Sequence, residues 1–104
     1  MSGDKLRDIA SVIRSKNAGP LLLTLDVILP NSETFDRVIN SGAIEASPMA
    51  KLYGVSHNEV IVTPYVQALA IKITLPRRYR SGGPQDTDVY GAQQHVPLFN
   101  VEIK

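Results

Sequence analysis

The first group of residues that could do chemistry lies at 14–20, directly before a strongly apolar segment. It carries two cationic side chains, Arg14 and Lys16, and beside them a hydroxyl, an amide and a glycine, which are Ser15, Asn17 and Gly19. Cationic side chains next to hydroxyl, amide and backbone N–H donors are what a carboxylate or phosphate ligand needs. The same residue types also form ordinary turns, so the pattern fits either an anion site or a solvated turn.

A second polar group lies at 86–95 and combines two carboxylates, a phenol, two amides and an imidazole. Its candidate ligand-binding residues are Asp86, Asp88, Tyr90, Gln93, Gln94 and His95. Amide side chains are poor acids and bases but good partners for carbonyl groups, so this segment favours recognition over catalysis. We expect it to meet residues 14–17 at one end of a sheet, where the two cations would hold a carboxylate or phosphate. In the simpler interpretation, one of its carboxylates only forms a salt bridge with Arg14.

Neither group predicts a metal site or a cofactor. The Asp-x-Asp at 86–88 lacks the late glutamate of a calcium loop, and 2 His with no Cys make a weak zinc signal. No nucleotide-binding fingerprint is present. A third cluster, Arg77, Arg78 and Arg80 around Tyr79, has the groups to contact phosphates. With a net charge of +1 and no aromatic pair for base stacking, we do not expect nucleic acid as a partner.

Length and composition predict one domain over residues 1–104. The chain is 43% hydrophobic and 20% charged, which is typical of a globular protein of this size. The uncharged, largely apolar stretch at 60–71 is too short and too polar to cross a membrane. No apolar leader follows Met1. We therefore expect a cytoplasmic protein that does not contact a membrane.

Hydrophobic periodicity predicts strands at 21–29, 60–65, 68–75 and 98–104. The strand at 60–65 contains Pro64, which favours the edge of a sheet. Asp26, on the polar side of the first of these strands, is expected to pair with Lys72. Residues 77–95 are expected to form a long loop.

Two helices are predicted from their start and stop signals. The first follows Pro30-Asn31-Ser32, carries Phe35, Val38 and Ile39 inward, and ends at Gly42. The second has Ser47 as N-cap and Pro48 as its first residue, carries Met49, Leu52 and Tyr53 inward, and ends at Gly54. Periodicity at the N-terminus slightly favours a further helix through Leu6, Ile9 and Ile13, with Asp4 as N-cap. These elements predict an α+β fold with helices packed on one sheet face.

Several segments resemble a known family of small proteins of unknown function. They are Arg14–Pro20, Leu-Thr-Leu-Asp-Val at 23–27, Ala-Ile-Lys-Ile-Thr-Leu-Pro-Arg at 70–77 and Asp-Thr-Asp-Val-Tyr-Gly-Ala-Gln-Gln-His at 86–95. The family is linked to acyclic terpene utilisation A-type proteins and resembles the small domain at the end of their longer versions. Of that domain's two motifs, Leu6–Ala10 matches the first, and Arg14-Ser15 matches the start of the second. Lys16-Asn17-Ala18 then replaces its Gly-Asp-Lys step.

This resemblance implies a ferredoxin-like α+β sandwich, a mostly antiparallel sheet with helices on one face, in which residues 5–13 would be a strand. We adopt that strand over the helix. The resemblance also implies an accessory or interaction subunit that completes a larger terpene-utilisation-like chain acting on acyl-CoA or small carboxylate substrates. The alternative is a free-standing small-molecule binder or lyase-like enzyme with its own anion pocket. Leucine-rich strands with few aromatic residues further predict self-association or a need for a partner.

Overall fold

The computed structural model describes residues 3–19, 22–76 and 96–104, and these form an α+β fold. The strands are β1 (Asp4–Lys5), β2 (Val12–Gly19), β3 (Leu22–Ile28), β4 (Ile61–Tyr65), β5 (Ala70–Pro76) and β6 (Glu102–Ile103), and the helices are α1 (Leu6–Ile9), α2 (Ser32–Ser41) and α3 (Ala46–Tyr53). Short 3-10 turns occupy His57–Glu59, Val66–Ala68 and Val96–Asn100. The predicted fold class is confirmed. In the described part of the chain, no helix has the length and apolarity needed to cross a bilayer.

Within the described residues, the main sheet has four antiparallel strands in the order β2-β3-β5-β4. A bulge between Asn17 and Gly19 interrupts the pairing of β2 with β3. β4 lies at an edge of the sheet, as Pro64 predicts, because proline has no backbone N–H for a second ladder. β1 and β6 form a separate antiparallel pair in which Asp4 lies opposite Ile103.

The inner face of the main sheet forms one side of the hydrophobic core. Alternate residues of β3 and β5 are buried there, and they are Leu23, Leu25, Val27, Ile71, Ile73 and Leu75. The helices bury apolar side chains in the same cluster, including Phe35 and Val38 of α2 and Met49 of α3. The period-2 prediction for β3 and β5 is therefore confirmed, and the helices belong to the inner face.

The predicted end of α2 at Gly42 is confirmed, and the helix begins at Ser32, one residue earlier than predicted. The side-chain oxygen of Asn31 accepts a hydrogen bond from the backbone N–H of Thr34 at 2.8 Å, which caps the first turn. Gly42 has a φ of 73°, a left-handed conformation that glycine adopts without strain, and it ends the helix. Ile39, predicted to face inward, is instead 36% exposed because it lies at the margin of the apolar stripe.

The start of α3 differs from its prediction. The N-cap is Glu45 rather than Ser47, so Pro48 is the third helical residue instead of the first. Proline is tolerated there because N–H groups of the first turn have no partner within the helix. The helix ends at Gly54, as predicted. Leu52 is 40% exposed, so its predicted inward orientation is wrong.

Both terminal segments differ from their predictions. Residues 6–9, predicted to be part of a strand at 5–13, form α1 instead, because the helical turn places Leu6 in the core with no exposed surface. Its N-cap is Lys5 rather than Asp4. Residues 98–100, taken as strand, belong to a 3-10 turn closed by a hydrogen bond from the N–H of Val101 to the carbonyl of Leu98 at 3.1 Å. The chain turns there so that both Leu98 and Ile103 reach the core.

Candidate functional site

The outer face of the main sheet is organised in rows that cross all four strands, because the strands pair in register. The apolar row consists of Val12, Ile28, Ala70 and Tyr65. The charged row beside it consists of Arg14, Asp26, Lys72 and Thr63. The third row consists of Lys16, Thr24, Thr74 and Ile61. One face therefore carries an apolar stripe next to ionised groups.

The charged row contains an ion pair between neighbouring strands. Arg14 Nε donates to Asp26 Oδ2 at 3.3 Å, and the two side chains are 64% and 21% exposed. Lys72, the predicted partner of Asp26, lies directly opposite it on β5, but the ion pair forms with Arg14. Asp26 has a cation opposite it on each neighbouring strand, Arg14 on β2 and Lys72 on β5. An exposed pair of this kind contributes no more than about 1 kcal/mol to stability.

A half-open surface pocket of about 360 Å³ lies beside this ion pair. The described residues that line it are Arg14, Ser15, Lys16 and Asp26. Two cations and one carboxylate give this lining a formal charge of +1, which favours a small anion. Guanidinium groups pair with carboxylate or phosphate oxygens through parallel hydrogen bonds, so the arrangement is suited to binding an oxyanion.

Three of the predicted site residues, Arg14, Ser15 and Lys16, are brought together at this pocket. Every predicted site residue between 14 and 19 lies on edge strand β2. The alternative of a solvated turn is therefore wrong for 14–19. Asn17 and Gly19 flank the bulge further along the strand. Asp26 also lines the pocket, although it was predicted only as the structural partner of Lys72. The sequence signal that could have identified it is a carboxylate on the polar side of β3, opposite a cation on each neighbouring strand.

The second predicted group, Asp86, Asp88, Tyr90, Gln93, Gln94 and His95, lies outside the described residues, as do Arg77, Arg78 and Arg80. The expected meeting of the 86–95 segment with β2 therefore stays a prediction. Over residues 3–19, 22–76 and 96–104, no three His, Asp or Glu side chains are grouped closely enough to hold a metal ion.

Comparison with known proteins gives one match. No curated protein and no solved structure resembles the chain closely enough to count as a match. A family model described as "Domain of unknown function (DUF4387)" matches residues 6–102, which include the whole main sheet and the described pocket residues. With nearly its full length matched, this chain belongs to the DUF4387 family.

Proposed function

We propose that this protein is an interaction module, a small accessory subunit that completes a larger chain of the acyclic terpene utilisation type. The observation that carries the proposal is the apolar row on the outer face of the main sheet. Its end members, Val12 and Tyr65, are 41% and 49% exposed. Clustered apolar side chains on an exposed face are typical of a protein contact surface.

Exposed apolar residues at the β4 edge extend this surface. Ile61, in the third row, is 61% exposed, and Val66, directly after β4, is 66% exposed. Pro64 gives the edge strand a position without a backbone N–H donor, which disfavours addition of a further strand. The partner therefore packs on side chains of the face rather than extending the sheet.

The charged groups beside the apolar row define the chemistry of the partner surface. Arg14, Lys72 and Lys16 lie on the outer face with one carboxylate, Asp26, so positive charge is in excess. We infer a partner surface with an apolar strip bordered by carboxylates, because opposite charges at the rim favour encounter and orientation. The resemblance to the terminal domain of terpene-utilisation proteins supports the larger chain as that partner, with acyl-CoA or small carboxylates as its substrates.

The test mixes the purified protein with a purified terpene-utilisation-type chain that lacks its own small terminal domain. Size-exclusion chromatography with light scattering is expected to detect a stable complex. Tyr65→Asp should abolish the complex, because the new carboxylate would have to be buried without a partner. The matched control is Leu52→Asp, which alters an apolar residue of α3 that is 40% exposed. This control should leave the complex intact.

Absence of any complex, or equal loss with both variants, would contradict the proposal. The same measurement on the isolated protein tests self-association. A stable dimer that Tyr65→Asp dissociates would identify a second copy as the occupant of the face, in place of the larger chain.

A further inference from the structure

We infer that the pocket beside Arg14 binds the oxyanion of a small organic molecule, a carboxylate or a phosphate group, between Arg14 and Lys16. This ligand site goes beyond docking of a partner chain. It shares Arg14 and Lys16 with the charged border of the proposed docking surface, but it is centred on β2, whereas the most exposed apolar residues of that surface, Ile61 and Val66, lie at the β4 edge.

The period of the strand places the two cations together. Arg14 and Lys16 are two residues apart on β2, so their side chains leave the same face from Cα atoms about 7 Å apart. Both line the pocket. An oxyanion between them receives hydrogen bonds from a planar guanidinium on one side and from an ammonium group on the other.

Asp26 acts as a positioning residue for Arg14. Asp26 lies on β3, which is a central strand of the sheet, and its side chain is only 21% exposed. Neighbouring groups therefore restrict the position of its carboxylate. It accepts from Nε of Arg14 at 3.3 Å, which holds the guanidinium by one edge. The edge that carries Nη1 and Nη2 is then the one oriented for a two-point contact with a ligand.

The pocket volume limits the ligand. About 360 Å³ is near the lower end of the range of ligand pockets, roughly 300–1,000 Å³. This space accommodates a small organic acid or a phosphoryl group. Since the side chain of Arg14 is 64% exposed, its ion pair adds little to folding, and the site can be altered without unfolding the protein.

The test is a titration of the ¹⁵N-labelled protein with succinate and, separately, with inorganic phosphate at constant ionic strength. Saturable shifts are expected for the amides of β2 around Arg14–Lys16. Arg14→Ala should weaken binding about tenfold. Arg14→Lys should give an intermediate affinity, because lysine keeps the positive charge but lacks the planar guanidinium that donates two parallel hydrogen bonds. Lys51→Ala, which removes an exposed cation of α3, is the matched control and should bind normally.

The role of Asp26 is tested by Asp26→Asn in two backgrounds. In the otherwise unchanged protein the substitution should lower affinity, because Arg14 loses its orientation. In the Arg14→Ala background it should raise affinity, because only repulsion of the anion remains to be removed. Such a change of sign would not arise from a purely structural role.

The two ligands separate the two sources of the oxyanion. Binding of succinate alone identifies a carboxylate site, and binding of phosphate alone identifies a phosphate site. Shifts that never saturate, or equal weakening by Arg14→Ala and Lys51→Ala, would overturn the inference. Tyr65→Asp, the docking variant, should bind the anion normally, because Tyr65 does not line the pocket, so failure of docking is distinguishable from failure of anion binding.

Discussion

Among single residues, Tyr53 shows most clearly how burial changes an ionisable side chain. It is the last residue of α3 and packs, partly buried, against the hydrophobic core. This burial raises the pKa of its hydroxyl well above the ordinary value of 10.0, because the phenolate would lose its solvation. The unfolded chain keeps the ordinary value. The stability contributed by the neutral phenol is therefore fully present below about pH 10 and is lost as the pH rises further.

We accordingly expect the free energy of unfolding to fall above about pH 10, with Tyr53 contributing up to about 1.4 kcal/mol per pH unit. Tyr53→Phe should make the decline less steep because phenylalanine does not titrate. Urea denaturation between about pH 9 and about pH 11 measures the two slopes. Tyr65→Phe is the control, since Tyr65 is 49% exposed. Identical slopes for Tyr53→Phe and the unchanged protein would refute the prediction.

At the scale of elements, the two longer helices begin in different ways. Asn31 caps α2 through its side chain, whereas Glu45 makes no side-chain cap bond to α3. Asn31→Ala should therefore lower the free energy of unfolding by about 1 kcal/mol, because the N–H of Thr34 loses its acceptor. Urea denaturation at neutral pH measures this loss. Glu45→Ala should cost clearly less, and an equal cost for both would show that the cap bond is not the cause.

At the scale of the whole molecule, Arg37 connects α2 to both terminal strands. Its Nη1 lies 2.8 Å from Asp4 Oδ2 in β1, and its Nη2 donates to the carbonyl of Ile103 in β6 at 3.0 Å. Its Nε donates to the backbone oxygen of Lys104 at 3.1 Å. The guanidinium of Arg37 therefore links two segments, β1 and β6, that lie about a hundred residues apart in sequence.

Arg37→Ala should destabilise the protein by about 1–2 kcal/mol, since it removes two exposed charge-assisted bonds and the partly buried one to Ile103. Arg37→Lys should not restore this loss, because an ammonium group cannot donate in three fixed directions from a planar fork. Hydrogen exchange should locate the effect, with faster exchange at the amides of β1 and β6 than at those of β3. Arg7→Ala is the control, because Arg7 pairs with its exposed sequence neighbour Asp8, at 4.0 Å.

The sequence was most informative where local chemistry and burial agree. Alternation in β3 and β5 was predictable because one face is wholly buried, and the limits of α2 were predictable because Asn31 and Gly42 act on their own turns. The course of residues 6–9 and 98–100 was not predictable, because it depends on where Leu6 and Leu98 meet a core built from distant segments.

The same distinction applies to the candidate site. Arg14 and Lys16 could be identified from residue type and spacing alone. The ion pair with Asp26 and the alignment of Val12 with Tyr65 across the sheet depend on strand order and register. Many pairings satisfy the same alternation, so register is fixed only when the whole sheet assembles.

The pairing of β1 with β6 has a topological consequence. Asp4 and Ile103 lie opposite each other, so the described chain enters and leaves the fold at one point, with Cα atoms about 5 Å apart. A unit of this shape can be spliced into a surface loop of a host protein without separating the two sides of that loop. Insertion at such a loop would leave the pairing of Asp4 with Ile103 in place.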